Sequence, residues 1–391
     1  MFLPVTIERN PALVETAINL HRSGKIHPNT YVLDVDAIQL NTKQLVQVAE
    51  QAGIKLYMMT KQIGRNPELA RIIAESGIEQ AVAVDPWEAL TLGKAGVKLG
   101  NVGHLVQIPS HLIEPILRLR PEVVTVFSVE KAKQVSQAAE RLGFIQNILL
   151  KVVGKQDVIY EGQQGGFQED ELLVEASRIQ KLPGVTISGV TAFPCFLYND
   201  ESGEIEPTPN AHTVKRSAHR LQEELSLPLD QINMPSATTI ASIPKLAEWG
   251  ATHGEPGHAL TGTTPLHVQG KQPEIPAMVY VSEISHVYEG NAYTFGGGFY
   301  RRSNARHAIV GNNFTEMKNR FVSVSATPPE YIDYTGTLRV KEQEVAVGDT
   351  VIYAFRTQIF VTRSEVALVK GIQNGQAKVA AIYDSLGNKL R

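Results

Sequence analysis

The sequence predicts an α/β chain with a β appendage: a (β/α)8 TIM-type barrel followed by a C-terminal mostly-β domain. Three observations carry this reading. Eight short apolar runs each precede an amphipathic stretch, the pattern of parallel βαβ units whose strands are buried on both faces. Eight such units, about 200 residues in all, are what a closed barrel needs. From residue 268 the helical periodicity fades and Gly and Pro punctuate strand-like segments, as in a separate β domain. A doubly wound open sheet is the competing architecture, and the count of eight favours the barrel.

The first 30 residues read as an N-terminal extension with one helix, Pro11–Arg22, before a strand at Tyr31–Asp34. The barrel domain is assigned to 31–267. Its strands are read at Lys55–Met59, Gln80–Val84, Val102–Gln107, Val123–Phe127, Ile148–Val152, Thr186–Ala192, Gln231–Met234 and Ala251–His253. Helical segments lie between them at Asn66–Ser76, Pro86–Ala95, Ser110–Arg118, Val129–Leu142, Asp170–Gln180, Asn210–Glu224 and Thr239–Trp249. Ser110 and Ser128 stand where helix N-caps belong, and Gly53, Gly96 and Gly143 where helices stop. The β domain, 268–391, is read from strands at Ala277–Val287, His307–Gly311, Phe321–Ser325, Glu344–Ile352 and Val366–Lys370.

Composition narrows the function classes. The chain has 391 residues, enough at roughly 100–200 per domain for two or three cores. Apolar residues make up 43% and charged residues 20%, with a formal charge of −3. That balance is globular and lacks the basic footprint of a nucleic-acid binder. The single cysteine forms no intrachain disulfide, and no Cys/His cluster has zinc spacing. No run approaches the length of a membrane span, and the N-terminus lacks a basic region followed by a long apolar core. The expectation is a soluble, cytoplasmic protein with no nucleic-acid or membrane partner and no metal.

In a barrel of this kind, reactive groups sit at the C-terminal strand ends. Lys61 follows the first apolar strand, in Met58-Met59-Thr60-Lys61-Gln62. An ammonium at the barrel mouth is partly desolvated, which lowers its pKa and frees an amine for Schiff-base chemistry; the bland alternative is a snorkelling surface lysine. After the seventh strand, Ser236-Ala237-Thr238 puts small hydroxyls at a strand-to-helix turn. After the eighth, Gly254-Glu255-Pro256-Gly257-His258 offers glycine-lined backbone. Free N–H groups with a hydroxyl make a phosphate cradle at the usual barrel position, and ordinary turn chemistry is the alternative.

The order of strand, lysine, serine loop, Glu-Pro-Gly-His loop and β domain resembles the fold-type III pyridoxal-phosphate enzymes, the alanine-racemase-like group. Met58–Pro67, Trp249-Gly250 and Glu255–His258 look closest to its YhfX-like branch. The resemblance implies pyridoxal 5'-phosphate as cofactor, a small amino-acid-like substrate and a homodimer. It makes Lys61 the cofactor lysine and proton carrier, Ser236 and the Gly257–His258 backbone the phosphate contacts, and Arg65 a charge-assisted phosphate contact. Glu255 falls opposite the ring nitrogen, where racemases have arginine and the decarboxylase branch has glutamate. A carboxylate there favours the protonated ring, the stronger electron sink.

Other positions depart from the racemase pattern. Gln164 falls where racemases place an arginine near the cofactor hydroxyl, and Phe193 near a ring-stacking histidine. The second-face tyrosine aligns with Phe295, leaving Tyr293, Tyr300 or His286 as replacements, and Tyr293 is the candidate catalytic partner of Lys61. His253 with His258 suggests a metal only weakly, Arg356 is a possible anion anchor or a surface arginine, and Cys195 reads as packing. The expected function is a pyridoxal-phosphate enzyme acting at the α-carbon of an amino acid or related amine, a racemase or epimerase. An amino-acid decarboxylase is the alternative. A cofactor-binding protein without strong catalysis is a second alternative, against which the domain from 268 onward argues, and a barrel enzyme without the cofactor is a third.

Overall fold

The computed structural model describes residues 2–270, 272–300, 302–326, 330–340 and 344–391. The chain divides into two compact units, Thr42–Thr60 with Ala70–Gly257, and Met1–Asn41 with Lys61–Leu69 and His258–Arg391.

The first unit is the barrel. Its strands are β1 Lys55–Met59, β2 Gln80–Ala83, β3 Lys98–Val102, β4 Val123–Val126, β5 Gln146–Val153, β6 Val185–Thr191, β7 Gln231–Asn233 and β8 His253–Gly254. Neighbours pair in parallel from β4 through β3, β2, β1, β8, β7 and β6 to β5, and β5 pairs back with β4, so the ring of eight closes. Side chains alternate between lumen and helix layer. The helix-facing set, Val102, Val124, Leu150 and Val190, is fully apolar and buried. The lumen set is identified by a hydrogen bond across it: Gln231 Nε2 on β7 donates to Tyr57 Oη on β1 at 2.8 Å, passing over β8.

Local sequence explains the strand ends. Asp85 caps the helix Pro86–Lys94 by accepting from the Glu88 amide at 2.8 Å, and Ser128 caps Val129–Arg141 through the Lys131 amide. The expected strand Val102–Gln107 is displaced: β3 ends at Val102 because Gly103 takes a left-handed φ of 92°, with Thr125 O only 2.7 Å from where a Cβ would stand. Ser110–Arg118 splits into a 3-10 turn, Ser110–Leu112, and a short helix, Ile113–Leu117. The segment after β6 carries a hairpin, Phe196–Asn199 with Glu204–Pro207, that apolar periodicity did not announce.

The second unit is a nine-stranded sheet in the order Asn291–Phe295, Thr335–Arg339, Phe321–Val324, His307–Gly311, Thr350–Tyr353, Met278–Tyr288, Thr30–Asp34, Glu365–Lys370, Lys378–Asp384. Thr30–Asp34 pairs with Met278–Tyr288 antiparallel and with Glu365–Lys370 parallel. The expected boundaries at 30/31 and 267/268 therefore differ from the compact units, because this strand finds its backbone partners in the β sheet. The N-terminal residues, expected as an extension, belong to this unit. Helices Leu3–Arg9 and Pro11–Arg22 bury Leu3, Leu13, Val14, Ala17 and Ile18 against Val279, Val281, Ile352 and Val369. Each such large side chain is worth about 1.5–3 kcal/mol of burial. Asn10 joins the parts: its oxygen accepts from the Leu13 amide and its Nδ2 donates to Asp34. The expected strand Glu344–Ile352 is shorter, Thr350–Tyr353, because a turn at Gly348, φ 90°, interrupts it.

Candidate active site

In the barrel unit, register fixes which side chains share the lumen. Lys151 on β5 pairs with Thr191 on β6, which pairs with Asn233 on β7, which pairs with His253 on β8; Glu255 is two residues further on. Thr125 and Asn101 follow on β4 and β3, joined by a 2.8 Å hydrogen bond in which the Thr125 hydroxyl donates. The result is a buried polar layer near the C-terminal strand ends, in a position that barrels fill with branched apolar residues.

Glu255 is 6% exposed. Asn233 Nδ2 donates to its Oε1 at 2.8 Å, and its own amide donates to Thr238 Oγ1 at 2.9 Å. The β1 and β8 ends are tied together where the Met59 amide donates to Pro256 O at 2.9 Å. Lys61 is the second residue after β1. Ser236 lies after β7, and its hydroxyl donates to Phe196 O at 2.6 Å; that proton is already engaged. The next residue, Ala237, holds a left-handed φ of 52°, unusual outside glycine. Phe193, two residues past β6, meets the rings of His104 and Tyr160 edge-on at 5.8 and 5.9 Å. Gln164 lies exposed on the loop after β5. Cys195 is fully buried, and burial pushes its thiol up, as packing requires.

In the sheet unit, Lys61 opens a 3-10 turn, Lys61–Ile63, followed by two left-handed residues, Gly64 and Arg65. Gly64 is required there: a Cβ would come within 3.0 Å of Ile359 and 3.2 Å of Val366. The Arg65 guanidinium lies over the Phe360 ring at 4.9 Å. His258 Nδ1 pairs with Thr263 Oγ1 at 3.2 Å, while its buried Nε2 has no hydrogen-bond partner among the described residues. Burial, then the positive charges of Arg356 and Lys61, hold the His258 imidazole well below its usual range, so it is neutral. Tyr293 stacks on His286 with centroids 4.5 Å apart, and Phe295 is 41% exposed. Among the described residues no group of three or more His, Cys, Asp or Glu is arranged to hold a metal, and no helix is long and apolar enough to cross a membrane.

Sequence reading missed Lys151, Asn101 and Asn233, and named Thr238 only as a loop hydroxyl. Lys151 sat inside an apolar run and was counted only as strand. Its place in the inward alternation was the available signal.

The alanine racemase N-terminal domain family matches residues 33–265, and the YhfX-like C-terminal domain family matches residues 279–379. Over its whole length the chain is 45% identical to the whole of "Uncharacterized protein YhfX" from Escherichia coli K12. The chain belongs to the alanine racemase-like family. Its YhfX-like C-terminal domain places it in that branch. Alanine racemase from Methanococcus maripaludis is 23% identical over 308 residues, covering 74% of this chain and 78% of that one. Solved structures share the alanine racemase-like fold. D-threonine aldolase from Filomicrobium marinum superposes with a TM-score of 0.68 at 14% identity, over 92% of this chain and 95% of that one. Alanine racemase from Clostridium difficile 630 gives 0.63 at 17%, over 91% and 98%. Members of the alanine racemase-like family are pyridoxal-phosphate dependent, and membership puts the chain among enzymes of that cofactor that act on amino acids.

The residues fit the cofactor by their own chemistry. Glu255 is a buried carboxylate fixed at a strand end, and Asn101 Nδ2, Thr191 Oγ1 and Asn233 Oδ1 are buried polar atoms with no hydrogen-bond partner among the described residues. Such atoms are rare in a finished core.

Proposed function

We propose that the chain is an amino-acid racemase or epimerase, working at the α-carbon with pyridoxal phosphate held by Lys61. The observation that carries the cofactor part of this reading is the buried Glu255 carboxylate after β8, whose Oε1 accepts from Asn233 Nδ2; the choice of racemisation is supported by the likeness to alanine racemases. When bound, the cofactor supplies an electron sink that acidifies the substrate α-proton. Glu255 would keep a proton on the ring nitrogen, because a neighbouring carboxylate favours the charged ring. Asn233 Nδ2 holds that carboxylate through Oε1, and Thr238 Oγ1 fixes the Glu255 backbone by accepting from its amide. The Gly257 and His258 backbone and the Ser236 turn take the phosphate, with Arg65 adding charge; Ser236 must release Phe196 O to donate its hydroxyl. Phe193 would stack on the ring, and Gln164 would approach it from the loop after β5. Lys61 Nζ takes the α-proton on one face. Tyr293, supplied from the β domain in a dimer, serves the other.

Two measurements test this. Borohydride reduction of the cofactor-loaded protein should leave a pyridoxyl label on Lys61 and none in Lys61→Ala; an unlabelled Lys61 refutes the cofactor role. Incubation with amino acids in deuterated water should place deuterium at the α-carbon without carbon dioxide. Carbon dioxide release would replace racemisation with decarboxylation, the reading that Phe295 at the tyrosine position favours.

A further inference from the structure

Lys151 is the buried charge that the proposed chemistry leaves unused. It is 4% exposed, on the lumen face of β5 beside Thr191. An ammonium has three N–H donors. Here one goes to Gln163 O at 3.0 Å, and the Phe127 ring lies 4.2 Å from Nζ. Among the described residues no carboxylate forms an ion pair with it. Burial alone pushes its pKa down, to about 8, and no neighbouring charge contributes. A buried, unpaired cation costs several kcal/mol of solvation. A fold that only needed to fill this position would use leucine or methionine there.

We infer that Lys151 is the anchor for the carboxylate of the amino-acid substrate. The argument rests on geometry. The ammonium projects from the lumen face toward the loop after β5, where it reaches Gln163 O. In the same lumen layer, Thr191 on the adjacent strand and Asn101 on β3 carry buried polar atoms, Oγ1 and Nδ2, with no hydrogen-bond partner among the described residues, so the layer offers an anion one strong charge and additional polar groups. The inference rests on the proposed cofactor chemistry and deepens it by naming what the substrate must carry. A carboxylate held by an ammonium keeps its charge stabilised, which opposes its departure as carbon dioxide. Lys151 thus favours proton exchange over decarboxylation. An anionic oxygen could also come from the cofactor ring, and the test separates the two sources.

The probes are phosphopyridoxyl-alanine and phosphopyridoxyl-ethylamine, which differ only by the carboxylate. Binding to the full chain without added cofactor is measured by calorimetry. Wild type should prefer the alanine adduct by ~10- to 100-fold, the range of a charged hydrogen bond. Lys151→Met should erase that preference with the ethylamine adduct unchanged, and Lys151→Arg should restore part of it. The melting temperature of Lys151→Met should equal or exceed wild type, since an uncompensated charge has been removed. Retention of the preference in Lys151→Met overturns the inference. Equal weakening of both adducts overturns it in favour of the ring oxygen, and a collapse of the melting temperature makes the lysine structural. In all three outcomes the cofactor reading survives. Failure of wild type to bind either adduct overturns both.

Discussion

Glu255→Gln isolates charge from shape. Glutamine matches glutamate in size, and its side-chain oxygen can still accept from Asn233 Nδ2, the 2.8 Å donor to Glu255 Oε1 in the native chain. The Glu255 amide bond to Thr238 is a backbone contact and persists. Folding should therefore change little, by no more than about 1 kcal/mol, or a few degrees in melting temperature. The proposed chemistry should change greatly. At 6% exposure the carboxylate is poorly screened by solvent and salt, and loss of such a neighbour lowers the affinity of the ring nitrogen for its proton by roughly one to three pKa units, ~1.4–4 kcal/mol. That corresponds to a loss of roughly 10- to 1000-fold in α-proton exchange. The assay is deuterium incorporation followed by proton NMR, alongside thermal melting of the same preparations. Asn233→Ala, which removes the tether and keeps the charge, should fall between wild type and Glu255→Gln. Full exchange activity in Glu255→Gln with an unchanged melt would refute the electrostatic role.

Two further outcomes follow from packing and protonation. His253 is buried against Tyr57, and desolvation, the leading cause, pushes its pKa down to about 4; the unfolded chain, near 6.5, binds the extra proton between those values. Stability is complete above about pH 6.5 and declines as pH falls toward 4, by up to ~3 kcal/mol. His253→Phe should flatten that slope in urea-midpoint measurements made on either side of the window, and an unaltered slope would discount the residue. Gly189→Ala would set a Cβ 1.9 Å from Gln231 O, between the backbones of β6 and β7. It should give insoluble or strongly destabilised protein, while Gly270→Ala, with nothing within 4 Å, should melt like wild type.

The barrel was legible because its strands are short apolar runs bounded by caps and glycines, a local signal at each of the eight positions. β3 was misplaced because the apolar run continues past Gly103, and only the approach of Thr125 O shows why the chain must turn there. The partners of Thr30–Asp34 were not legible, since pairing with strands some 250 and 335 residues away leaves no local mark. Within the site, Lys61 and Glu255 stood out because they end strands. Asn233 read as one residue of a short strand, and its grip on Glu255 depends on β7 and β8 lying side by side. Lys151 was hidden by the rule that exposed the strands: a lone charge in an apolar run is easily counted as a snorkelling edge residue until register assigns it to the lumen.

The lumen layer ties these threads together. A barrel that needed only to be stable would place branched aliphatic side chains at Asn101, Thr125, Lys151, Thr191 and Asn233. This one buries polar groups there and leaves several atoms without a hydrogen-bond partner among the described residues, at a cost of about 1–3 kcal/mol for each unsatisfied group. Such a cost is offset only if something else supplies the missing partners. Burial is what pushes the Lys151 pKa down, and among the described residues no carboxylate forms an ion pair with it. A buried amine and a buried carboxyl group in one polar layer suit a ligand with the reverse pattern: an acid group at one end and a protonated nitrogen at the other. An amino acid joined to a pyridine ring has that pattern, so the uneven polarity of the lumen is itself an argument for the class of molecule it receives.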